Sequence, residues 1–117
     1  MSNILGIKAW AEPLRTAAFG DITGSLTALG SPYSHPVRVY FFTNGTDATI
    51  YVSWNGTDNH FAILSGNSLS LDIVANKSID NGLYLETGKS TYIAYATAPT
   101  IGNVYLSVVY GTSDVTQ

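Results

Sequence analysis

Apolar and polar residues alternate with a period of two over most of the chain after Gly24. Successive side chains of a strand point to opposite faces, so this period predicts strands buried on one side. Residues 68–73 alternate cleanly: Leu69, Leu71 and Ile73 on one face, Ser68, Ser70 and Asp72 on the other. Residues 48–54 do the same, with Ile50, Val52 and Trp54 against Thr49, Tyr51 and Ser53. Residues 37–43 are β-branched or aromatic almost throughout and read as a strand. Alternation puts Val39 and Phe41 in one core with Ile50, Val52, Leu69, Leu71 and Ile73. Further runs at 25–29, 60–64, 83–85, 91–96 and 104–110 complete a set of about eight strands, at turn spacings of roughly 8 to 12 residues.

Turn chemistry supports that division. Asn44-Gly45 and Asn55-Gly56 each separate two strand-like runs. Asn-Gly tolerates positive φ at both central positions of a primed turn, so two tight hairpins are expected. The tetrapeptide Asn-Gly-Thr-Asp occurs twice, at 44–47 and 55–58. No stretch after residue 20 carries a helical stripe, which argues against alternating βαβ units. The predicted fold is an all-β antiparallel sandwich, either a jelly roll or an Ig-like Greek key.

The first twenty residues differ. Ile7, Trp10, Leu14 and Phe19 are apolar without alternation, and Pro13 would interrupt a helix. Residues 1–20 are therefore read as an extended or partly helical arm, and 21–117 as a single sandwich domain. The strands from residue 36 onward already supply apolar residues for two inner faces. The arm's large side chains then need a surface, and Ile7, Trp10, Leu14 and Phe19 are the candidate interface residues, toward a second copy or another protein. The alternative is that the arm supplies an edge strand or covers one end of its own sandwich.

Composition narrows the functional classes. Charged residues are 11 % of the 117 positions, against roughly 25 % in ordinary soluble domains. A neutral surface of Tyr, Thr, Ser and Asn is easily desolvated against a protein partner. Lys8, Arg15, Arg38, Lys77 and Lys89 are scattered, so the clustered cations that nucleic-acid binding requires are missing. No apolar stretch approaches the roughly 20 residues of a membrane span. The first eight residues lack a basic start followed by an apolar core, and a protein made in a cytosol is expected. There are no cysteines, which removes disulfides and thiolate metal sites.

Catalytic patterns are not found. His35 and His60 have no metal-ligand spacing, no Gly-x-Ser-x-Gly occurs, and Glu12 and Glu86 are the only glutamates. The expectation is a protein that is not an enzyme and needs no cofactor or metal. One ligand site is conceivable: Trp54 with Asn55, Asp58 and Asn59 could stack and hydrogen-bond a sugar. The alternation instead places Trp54 in register with Ile50 and Val52.

The segments Arg15-Thr16-Ala17-Ala18-Phe19-Gly20, Ile22-Thr23-Gly24-Ser25 and His35-Pro36-Val37-Arg38 resemble small virion structural proteins of tailed bacteriophages. So do the stretches from Val52 to Phe61 and from Leu71 to Lys77. The resemblance spans about residues 15–77 and carries no catalytic signature. It implies a β-sandwich subunit present in many copies in the capsid, neck or tail, in a decoration or assembly-stabilising role. It implies that the partners are other virion proteins and further copies of itself. The alternative is a carbohydrate-binding module of a host-adhesion device.

Overall fold

The computed structural model describes residues 7–72 and 85–113, which form nine strands in two antiparallel sheets. They are β1 (Ile7–Ala11), β2 (Arg15–Ala18), β3 (Thr27–Ala28), β4 (Val39–Asn44), β5 (Ile50–Ser53), β6 (Phe61–Ile63), β7 (Ser68–Asp72), β8 (Tyr92–Tyr95) and β9 (Asn103–Ser113). The first sheet has the order β1-β9-β4-β7, with β2 also on β9; the second has the order β3-β8-β5-β6. β1 pairs with residues 109–113 of β9 and β2 with residues 103–106, so the two share one edge.

The pairings are nested. β2 pairs with β9, β3 with β8, β4 with β7 and β5 with β6, all antiparallel. The chain is one long hairpin, doubled at the β5–β6 turn and rolled up. The rungs β4–β9 and β5–β8 complete the sheets. This is the strand order of a jelly roll, and it decides between the two topologies that periodicity left open.

The core lies between the sheets. Tyr40, Phe42, Val104, Leu106 and Val108 from the first sheet meet Ile50, Val52, Ile63 and Ile93 from the second. Ile50 and Val52 are buried as their alternation predicts, and Leu69 and Leu71 are half-buried against the same cluster. Ile73 lies outside the described residues, as does all of the expected strand at 83–85 except Leu85, which bridges to Val37.

β4 reverses one expectation. Phe41 is 43 % exposed and Val39 is half-buried, whereas Tyr40 and Phe42 are fully buried. Val37 is also buried, so the inward phase changes between Val37 and Tyr40. Residues 39–42 are all apolar or aromatic, and hydrophobicity alone could not set their phase.

The two Asn-Gly sites differ from each other. β5 and β6 pair, so Asn55-Gly56 lies in a hairpin loop, with Gly56 at φ +78°. That loop spans residues 54–60 and is longer than a two-residue turn. No hairpin forms at Asn44-Gly45: β4 and β5 belong to different sheets, and Gly45 is not among the glycines at positive φ. The reason lies in the Asn44 side chain, which is buried. Its Nδ2 donates to Ala48 O and Ile63 O, both at 2.8 Å, and its Oδ1 accepts from Thr46 N and Oγ1. Asn44 thus ties the crossing loop to β6. Gly45 packs on the start of β9, where a Cβ would stand 2.7 Å from Asn103 O.

Residues 7–18 take the extended form of the two expected for the arm and lie along the edge of the first sheet. They are strands on their own domain, and only a 3-10 turn at Phe19–Asp21 is helical.

Candidate functional site: an apolar sheet edge

The edge formed by β1 and β2 is broken at Glu12-Pro13-Leu14. Glu12 N still donates to Val108 O (3.1 Å), continuing the ladder, and Pro13 then interrupts it. Proline has no amide hydrogen, so edge strands tolerate it and are shortened by it.

At the break, Glu12 and Arg15 turn inward, and their side chains are only 3 % and 6 % exposed. Arg15 Nη2 donates to Glu12 Oε1 at 2.7 Å. Glu12 Oε2 accepts from Ser34 N at 3.0 Å and lies 2.9 Å from His35 Nδ1. Arg15 also donates to Ser31 O (3.0 Å) and Pro32 O (3.2 Å), and its guanidinium lies 5.3 Å from the centre of the Tyr33 ring. His35 stacks flat on Tyr110 of β9, with ring centres 3.6 Å apart. One ion pair therefore fastens the β3–β4 connection to the N-terminal edge.

Burial pushes the Glu12 carboxyl up. The bonds from Arg15 and His35, the Arg15 charge and the Ser34 amide together outweigh burial and hold it below the usual carboxylate value. Deeper in, Thr91 Oγ1 lies 2.5 Å from Tyr33 OH and 2.8 Å from Tyr40 OH. Burial raises both phenols, that of Tyr40 well above its ordinary range. Glu12, Arg15, Tyr33, Tyr40 and Thr91 are buried, while the His35 side chain is 40 % exposed, and their bonds hold together the loops around this edge.

The surface of the same edge is apolar. Trp10 is 49 % exposed, Leu14 55 % and Phe19 39 %. Of the four residues expected at an interface, these three stand on the outside of the fold, spread along the edge from β1 past β2. Ile7 opens β1, opposite Ser113. On the adjoining outer face of the first sheet, Phe41 sits opposite Ser107 and Ser70, and Tyr105 opposite Thr43 and Thr16. Among these outward positions of β2, β4, β7 and β9, only Asp72 carries charge, in register with Val39.

The Trp54 region is organised differently. Trp54 is half-buried and packs edge-on against Tyr40 (5.7 Å) and Phe61 (5.2 Å). Asn55 Oδ1 accepts from Thr57 N and Asp58 N, Asn55 Nδ2 donates to Asp58 Oδ2, and Trp54 N donates to His60 Nδ1. Asn55 and Asp58 thus close their own loop, and Asn59 beside them is exposed. A shallow depression of about 440 Å³ joins Trp54 and Asn55 to Lys89, Ser90 and Tyr92, but Asp58 and Asn59 do not line it.

Sequence reasoning missed Glu12, Arg15, Tyr33 and Thr91. One signal was available: a glutamate and an arginine three apart within an otherwise apolar segment. Such a pair in that setting points to a buried bridge as readily as to a solvated one.

Among the described residues no group of three or more His, Cys, Asp or Glu is placed to hold a metal ion, and no helix is long and apolar enough to cross a membrane. No protein-family model matches the chain, and no curated protein matches it.

Proposed function

We propose that this chain is a non-enzymatic virion structural protein, a multi-copy subunit that binds other capsid, neck or tail proteins and stabilises or decorates their assembly. One observation carries the reading: the N-terminal sheet edge keeps Trp10, Leu14 and Phe19 exposed although its backbone is paired. Exposed aromatic and aliphatic side chains on a surface poor in charge are what protein interfaces bury at their centres. The jelly-roll strand order suits a packed subunit, since a rigid sandwich presents edge and face at fixed angles. The resemblance to phage virion proteins over residues 15–77 points the same way. The virion is then its location and the host cytoplasm its place of synthesis. The carbohydrate-binding alternative gains no support from Trp54, whose ring is engaged by Tyr40 and Phe61.

The test replaces Trp10, Leu14 and Phe19 together by Ser. All three are exposed, so the variant keeps its fold by circular dichroism. It is expected to be lost from purified particles by immunoblot. Incorporation at the wild-type level would count against the reading.

A further inference from the structure

We infer that β1 is the contact between two copies of this chain, which pair edge to edge through antiparallel β1 strands on a twofold axis at Ala9. The inference rests on the subunit reading above and names the partner at the N-terminal edge.

Val108 O accepts from Glu12 N, and Val109 O accepts from Arg38 N. Along a strand the amides alternate between neighbours. Even residues of β9 therefore face β1 and β2, and odd residues face β4. Lys8 and Trp10, opposite Thr112 and Tyr110, turn their amides to β9. Ile7, Ala9 and Ala11 turn theirs away, on the side where the sheet order ends among the described residues. β4 begins at Val39, opposite Val109. Beyond that rung, β1 and residues 110–113 of β9 run on as a two-stranded ribbon among the described residues. A two-stranded ribbon is marginal in water, and an open edge invites another strand.

The sequence of β1 fits its own copy. With the axis at Ala9, Ala9 faces Ala9, Ile7 faces Ala11, and every outward amide of β1 finds a partner. Lys8 falls opposite Trp10 of the second copy, so the one charge of the strand never meets its like. The two Ala9 side chains stand side by side at the axis, where their small size leaves no crowding. Two ribbons become four strands, and the first sheets of both copies become one continuous sheet.

Sedimentation velocity on the purified full-length chain tests this. The wild type is expected to be a concentration-dependent dimer. Ala9→Pro removes an amide hydrogen that points away from β9, so it should weaken the dimer by at least about tenfold in Kd while circular dichroism stays unchanged. Should Ala9→Pro fail to fold, Ala9→Cys still decides: the wild type has no cysteine, and oxidation should give a disulfide dimer across the axis. A wild type that is monomeric at every concentration, an Ala9→Pro chain as dimeric as wild type, or an Ala9→Cys chain that does not cross-link would overturn the inference. Self-association in solution reads this contact alone, while particle incorporation reads the subunit role, so the two can fail separately.

Discussion

Phe41 and Phe42 are adjacent in sequence and lie on opposite faces of β4, one 43 % exposed and the other fully buried. Their energetics should differ accordingly. Phe42→Ala should cost about 3–5 kcal/mol in denaturant melts, through lost burial and the cavity it leaves. Phe41→Ala should cost less than about 1 kcal/mol. Equal losses would mean that the phase of β4 is misassigned. Glu12 offers a second test. Glu12→Ala leaves the buried Arg15 guanidinium without its carboxylate, a change that costs about 3–5 kcal/mol when a buried pair is broken. The folded-state pKa of Glu12 lies below its unfolded value. Its contribution is therefore present above the unfolded value of roughly 4.3 and is lost as the pH falls through the folded value. Melting temperatures of wild type and Glu12→Gln should converge on acidification through that range. A gap that stays constant would show that the carboxylate's charge contributes nothing. Ile50 and Val52 could be placed from sequence because Thr49, Tyr51 and Ser53 mark the other face. Phe41 could not, because no polar residue in β4 before Thr43 marks a face. Asn44 shows the same limit: its residue type promised a tight turn, and its side chain instead bonds Ile63 O on a strand nineteen residues away.

At the level of elements, most strands from β4 to β9 lie where their runs predict, because each carries its own apolar period or β-branched content. β1 and β2 stay an alternative in the sequence, an edge strand rather than a free arm, because Ala9, Ala11, Ala17 and Ala18 make a weak pattern and Pro13 reads as a breaker. Their pairing comes from β9, a partner some ninety residues away in sequence, which local pattern does not reveal. This placement carries a prediction. Deleting residues 1–19 removes β1, β2, Glu12 and Arg15, and it uncovers the full length of β9. The truncated chain should therefore misfold or aggregate. A truncated chain with the far-ultraviolet circular dichroism of the wild type and a cooperative melt would show that the edge is dispensable. Trp10, Leu14 and Phe19 were legible as interface candidates from their apolar character alone, and it is their exposure on a paired edge that gives the candidacy physical content.

For the whole molecule, nested pairing explains how so uncharged a chain holds a single architecture. Each strand from β2 to β9 has an antiparallel partner at the mirrored position along the doubled chain. One core cluster takes residues from both sheets, Tyr40 and Leu106 from the first and Ile50 and Ile93 from the second. Buried polar side chains bond locally, Asn44 in the β4–β5 crossing and Glu12 with Arg15 Nη2 at the edge, while Arg15 Nη1 and Trp54 Nε1 are buried without a hydrogen-bond partner. What remains outside is a scatter of hydroxyls with a few large apolar residues, arranged so that the N-terminal edge and the adjoining sheet face are the parts best suited to contact. The central claim is that this surface is covered in a particle. A cryo-electron microscopy reconstruction of the virion that carries this chain tests it most directly. The account predicts repeated jelly-roll density with Trp10, Leu14 and Phe19 against a neighbouring subunit. A virion without that density, or one in which all three side chains face solvent, would contradict it.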